Sequence, residues 1–138
     1  MISITLKGRE IPLLYTVWEM KQVQEEICPL GELSYAAFGR NKEDKNDTSK
    51  YGSPEHLNAL AKLVKILGNA GLEEAGEAPD LTEKWILRNM KPPMITTYAI
   101  IALTVIVDGN QTETASAQEN GPVDEGLEEQ QAKKQPGS

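Results

Sequence analysis

The chain opens on a strict alternation, with Ile2, Ile4 and Leu6 on one side and Ser3 and Thr5 on the other. Successive side chains of a strand point to opposite faces, so this pattern predicts a half-buried β-strand. Lys7-Gly8-Arg9 supplies a turn, and a second alternating run follows through Ile11, Leu13 and Tyr15. Pro12 has no N–H to give to a ladder, which puts the second strand at an edge or pairs it on one side only. The two strands form a β-hairpin. A lone hairpin is marginal in water, so this one must rest on helices.

From Thr16 the period becomes helical. Thr16-Val17-Trp18-Glu19 has the T-x-x-E pattern of a capping box, in which the two side chains satisfy exposed backbone donors. The helix it starts runs to about Cys28, burying Met20, Val23 and Ile27 and exposing Lys21, Gln22, Glu25 and Glu26, until Pro29 and Gly31 stop it. Leu33 to Phe38 is long enough for one or two further turns, and residues 39–53 form a long polar loop. Ser53-Pro54-Glu55 is a strong helix start: a capping hydroxyl, a proline in the first turn, then an acid near the positive end of the dipole. Leu57, Leu60, Leu63, Val64 and Leu67 recur at helical spacing behind it, and Gly68 to Gly71 read as its end.

An acidic linker over residues 72–79 leads to a second capping pattern, Asp80-Leu81-Thr82-Glu83. It opens a short helix through Trp85, Ile86 and Met90, which Pro92-Pro93 stops. Met94 to Val107 is apolar nearly all the way round, which predicts a central buried helix or one buried in an oligomer. Its β-branched content leaves a strand as the alternative. After Asp108-Gly109 the character changes: residues 109–138 hold six acids, two lysines and almost nothing apolar. Too little surface can be buried there to offset chain entropy, so disorder is expected. The predicted plan is mainly α (α+β): a globular domain over residues 1–108, with an N-terminal β-hairpin packed on about four helices, and a disordered acidic C-terminal tail over 109–138.

Composition narrows the function. Aromatic residues make up 5% of the 138, against 39% hydrophobic, so the core must be mostly Leu, Ile, Val and Ala. The net charge of −7 argues against nucleic acid, whose phosphates need a basic face. The densest basic stretch, Arg40, Lys42, Lys45 and Lys50, is interrupted by Asn41, Glu43, Asp44 and Asp47 and reads as a solvated loop. The 14 residues from Met94 to Val107 include three threonines and fall short of the roughly 20 apolar residues of a spanning helix, so no membrane segment is expected. A single cysteine, Cys28, and a start unlike a signal peptide point to a reducing, cytoplasmic setting.

Candidate chemistry is sparse. His56 is the only histidine and is expected to be exposed in the first turn of its helix; Cys28 has Glu25 and Glu26 for neighbours, where a reactive thiolate needs cations. Asp44-x-Asn46-x-Thr48 lacks the glycine and the closing glutamate of a calcium loop, and the carboxylates Glu25/Glu26 and Glu73/Glu74/Glu77 read as solvated faces. No phosphate loop, nucleophile-elbow serine or acid–base pair is present, so no catalytic, cofactor or metal residue is assigned and binding to other proteins is expected. Trp18 and Trp85 are the leading candidate anchors, with core packing as the first reading of each and partner contact as the second; Tyr98 represents the last apolar segment.

The opening Ile4-Thr5-Leu6-Lys7-Gly8-Arg9-Glu10-Ile11-Pro12-Leu13, leading directly into the helix from Thr16, resembles the tail assembly chaperones of long-tailed bacteriophages and prophages. The match covers about the first 30 residues, and the plan of about four helices with an acidic tail extends it. The family's programmed frameshift near the end of the gene would fit Ala132-Lys133-Lys134, codons that can form an adenine run. The resemblance implies a homo-oligomerising cytoplasmic protein that coats the tape measure protein. A longer frameshifted form would recruit the major tail protein, and neither form would be retained in the virion. The competing reading is a small phage-encoded adaptor or regulatory protein that binds a host protein.

Overall fold

A computed structural model describes residues 1–120, with side-chain surroundings through Gly109. Strands β1 (Ser3–Leu6) and β2 (Arg9–Pro12) are followed by helices α1 (Val17–Glu26), α2 (Leu33–Phe38), α3 (Pro54–Glu74), α4 (Glu83–Asn89) and α5 (Ile95–Asn120). Single 3₁₀ turns at Leu30–Glu32 and Pro92–Met94 lead into α2 and α5. The α+β expectation of a hairpin on helices holds. Contacts divide the chain into two compact units, one from Met1 to Val105 and one beginning at Ile106.

The hairpin pairs antiparallel in the register Ile4↔Ile11 and Leu6↔Arg9. Its two-residue turn puts Lys7 at φ 53° and Gly8 at φ 74°, the doubly left-handed geometry that matches strand twist. Ile4, Leu6, Ile11 and Leu13 are all at most 2% exposed, so the aliphatic side chains of one hairpin face are inside, with half-buried Arg9 at its turn end. They join Leu60, Leu63, Val64, Leu67 and Leu72 of α3 and Val23 of α1 in an aliphatic core.

α3 is the axis of the fold: β2, α1, α2 and α4 all pack on it. It does not end at Gly68–Gly71 but runs on to Glu74. The glycines serve close approach instead. A Cβ on Gly71 would collide with the main-chain carbonyl of Pro12, and one on Gly68 would come within 2.6 Å of Leu81 Cδ1 and 3.1 Å of Ile11 Cγ2. Just before Gly68 the segment that follows β2 is tied to the helix by a main-chain bond from Leu14 N–H to the Leu67 carbonyl, 3.1 Å. Glycine thus costs helix propensity here and lets a strand lie directly against the helix backbone.

Downstream, Asn69 brackets Leu81: its Oδ1 accepts the Leu81 N–H (3.0 Å) and its Nδ2 donates to the Leu81 carbonyl (3.3 Å). Arg9 reaches Asp80 at 3.0 Å, so the linker is pinned to both hairpin and α3. Asp80 is therefore not a cap. The N-cap of α4 is Thr82, whose hydroxyl accepts the Trp85 N–H at 3.1 Å.

α5 is helical, as the first reading of that segment had it, but it is not central. Tyr98, Ala99, Ala102 and Val105 are buried, whereas Ile100 is 51% and Val107 53% exposed. The window Pro92–Gly109 has mean hydropathy 1.4 and is only 22% buried; by length and composition it is long enough to cross a membrane. That exceeds the 14-residue apolar run because the window also takes in Pro92 and Pro93 of the preceding 3₁₀ turn and Asp108-Gly109 of α5. The backbone is helical to Asn120, past the boundary expected at residue 108. Once a helix is nucleated, each added residue gains a bond, and Gln, Glu and Ala beyond Gly109 suit it. Residues 121–138 lie outside the described residues.

Candidate interaction surfaces

The start of α1 fixes the most exposed aromatic side chain. Glu19 turns back so that its carboxylate accepts the Thr16 N–H (2.8 Å), the glutamate half of the capping box predicted from sequence, and it accepts the Thr16 hydroxyl as well. Those two bonds let Glu19 be buried at 6% exposure despite its charge. With Glu19 held inward, the two preceding residues point out: Val17 is 77% and Trp18 60% exposed. Core packing of Trp18 is thereby corrected, because the helix start spends its inward position on the cap. Trp85 is half-buried, with the Arg9 guanidinium 5.8 Å from its ring centroid. Tyr98 is 4% exposed, and its hydroxyl accepts the Lys91 N–H at 3.4 Å. Among the described residues no hydrogen bond joins these three side chains to one another.

A groove of about 150 Å³ runs beside Trp18 between α1 and α3. Trp18, Gln22 and Glu26 form one wall, Ile66, Ala70 and Glu73 the other, and Pro79 closes an end. Three further polar side chains line it and are already engaged, Glu19 by Thr16 as above. Lys65 lies 3.7 Å from Glu83, and Asn69 is committed to Leu81. On the outer side of α1, the Lys21 ammonium sits 5.1 Å from the Trp18 ring centroid and 3.1 Å from Glu25.

A larger cavity of about 340 Å³ lies where α2, the 39–53 loop and the first turns of α3 meet. Cys28, Tyr35, Arg40, Lys42, His56 and Lys62 are among its lining residues. Its back wall corrects the expectation for His56, which is buried at 2% exposure. Nδ1 accepts the Gly52 N–H (2.9 Å), so Nε2 carries the proton and donates it to the Ala37 carbonyl (2.9 Å). Gly39, in the left-handed region at φ 70°, ends α2 and leaves room for the ring, since a Cβ there would lie 2.6 Å from Nδ1. Both imidazole nitrogens are thus consumed, Nε2 in stapling α2 to α3 and Nδ1 in holding the end of the loop that precedes α3. A faint signal of this is legible in the chain itself, in glycines at 39 and 52 and a histidine three residues after a serine cap.

Burial and the nearby Glu32 push the Cys28 thiol above its ordinary value, the reverse of what a nucleophile needs. Burial, reinforced by Glu19, likewise raises the Tyr15 phenol. In the loop, Asn41, Asp44 and Asp47 each accept a main-chain N–H two residues on. The Ser49 backbone and side chain, and then Asn41, hold the Asp47 carboxyl below its usual range. Lys42 is raised by its bond to Glu32, 3.0 Å away. The basic stretch is therefore a loop wound by side-chain turns, in which Lys42 pairs with Glu32 and Lys50 with Glu55 while Arg40 bonds the Lys45 carbonyl. Among the described residues no group of three or more His, Cys, Asp or Glu is arranged to hold a metal ion.

No protein-family model, curated protein or solved structure matches the chain.

Proposed function

We propose that this protein is a tail assembly chaperone of a long-tailed bacteriophage or prophage. It binds the tape measure protein as a homo-oligomer in the host cytoplasm, and a longer frameshifted form recruits the major tail protein. The observation that carries the reading is the segment from Ile4 to Trp18. Its sequence resembles the opening of that family, it folds as a hairpin running straight into α1, and it delivers Val17 and Trp18 to solvent. An exposed Trp is a typical energetic anchor of an interface. The apolar outer residues of α5, Ile100 and Val107, favour association between copies, because an uncovered apolar surface is costly in water. A tape measure is a long helical chain with apolar stripes, the kind of target such surfaces shield. The role assigns no catalytic residue, cofactor or metal.

Expression of the native gene with its downstream DNA and an N-terminal tag tests this against the adaptor reading. A minor longer product, with peptides that read through Lys133-Lys134 into the minus-one frame, is the expected result. A single product ending at Ser138 would remove the two-form chaperone.

A further inference from the structure

The Trp18 groove has a chemistry that specifies its partner further than protein binding alone. Its cation, Lys65, is neutralised by Glu83, and its amide, Asn69, is spent on Leu81. Glu19 is closed into the capping box. What remains open toward solvent is Gln22 with Glu26 on one wall and Glu73 on the other, and among the described residues neither glutamate has a cation within ion-pair distance. Trp18 on the first wall, Ile66 and Ala70 on the second and Pro79 at the end supply the apolar lining. The Trp18 ring already attracts one ammonium, that of Lys21, on its outer side. An indole face stabilises a cation and is also a broad apolar platform. The whole chain carries −7, so its field draws positive segments and repels acidic ones.

We propose that this groove docks a cationic segment of a partner protein, an arginine or lysine entering between α1 and α3 to meet Glu26 and Glu73 while a neighbouring apolar side chain lies on Trp18. The inference rests on the protein-binding reading and adds to it the charge and the anchor of the bound segment. The volume of about 150 Å³ admits one long side chain and not a buried helix. Recognition is therefore by one cationic anchor plus surface contact along α1. Arginine suits the site better than lysine, because its planar fork can bond a carboxylate in two places and stack on the indole.

The test uses the full chain carrying Trp85→Phe, which leaves Trp18 as the sole indole reporter. Titration with a 12-residue peptide of alternating Arg, Ala and Leu is expected to change Trp18 emission saturably, while the Glu-for-Arg peptide does nothing. Glu26→Gln with Glu73→Gln should weaken binding at least tenfold, and Trp18→Ala, read by anisotropy of a labelled peptide, should do the same. Glu43→Gln with Glu55→Gln, elsewhere on the surface, should change it less than twofold. Equal weakening by both charge pairs would reveal only nonspecific attraction to an acidic protein and overturn the groove. So would binding indifferent to Trp18. The protein-binding reading fails separately: a chain that still captures its tape measure partner while the groove variants behave like the parent loses this site and keeps that function.

Discussion

Replacing Gly71 with alanine pits helix propensity against the seat of the hairpin. On an isolated helix the change should stabilise by about 1 kcal/mol, since glycine is that much worse than alanine inside a helix. Here the new Cβ overlaps the Pro12 carbonyl, a main-chain group that no rotamer change can move. Relief requires β2 to shift off α3, which loosens Ile11 and Leu13, now 0% and 2% exposed. Overpacking of this kind costs about 1–3 kcal/mol. Losing a third of the burial of two large aliphatic side chains adds about 1–2 kcal/mol. Net of the propensity gain, the variant should be about 2 kcal/mol less stable than the parent. With a urea slope of about 1.5 kcal/mol/M, the midpoint falls by roughly 1.3 M in melts followed by circular dichroism. Gly68→Ala is the comparison. Its Cβ meets chiefly the end of the Leu81 side chain, which can rotate away, so its change should stay within about 1 kcal/mol. A Gly71→Ala protein as stable as the parent, or more so, would refute the claim that the hairpin lies on the α3 backbone.

Other consequences are as direct. His56→Ala strands the Gly52 N–H and the Ala37 carbonyl and empties a buried site, so a loss of about 3 kcal/mol is expected in the same urea melts. Cys28 should react with iodoacetamide at pH 7.5 more slowly than a free thiol, because burial and Glu32 keep it protonated; a rate equal to that of glutathione would contradict this. The Asp47 carboxyl is lowered from 3.8, so its bonds favour the fold above that value and are lost as pH falls through the lower folded one. The Ser49 amide resonance should accordingly titrate below pH 3.8, and an inflection above it would reverse the sign of the argument.

How much of this was legible follows from the physics of each element. The hairpin, the Thr16–Glu19 box and the Ser53 cap could be read because alternation and capping are local codes, satisfied within four to eight residues. Gly68 and Gly71 misled because a helix-ending glycine and a close-packing glycine look alike until the partner strand is known. The burial of His56 is illegible for the same reason: Gly52 is a local partner, but Ala37 reaches the ring only through the docking of α2 on α3. The exposure of Trp18 was hidden by size, since a large aromatic beside an apolar stripe is ordinarily core. The apolar run of α5 showed that something must cover it, but periodicity could not tell how much the chain covers itself. The groove glutamates lie 47 residues apart, a juxtaposition that only the packing of α1 on α3 creates.

The most direct test of the chaperone account is co-expression of this chain with the tape measure protein of its own genome, measuring the soluble fraction of the tape measure by quantitative blot. The account predicts that the tape measure is insoluble alone, soluble with the parent chain, and retained with it through affinity capture and gel filtration. A tape measure that stays insoluble beside a well-folded, abundant partner chain, or that is soluble without it, would contradict the central claim.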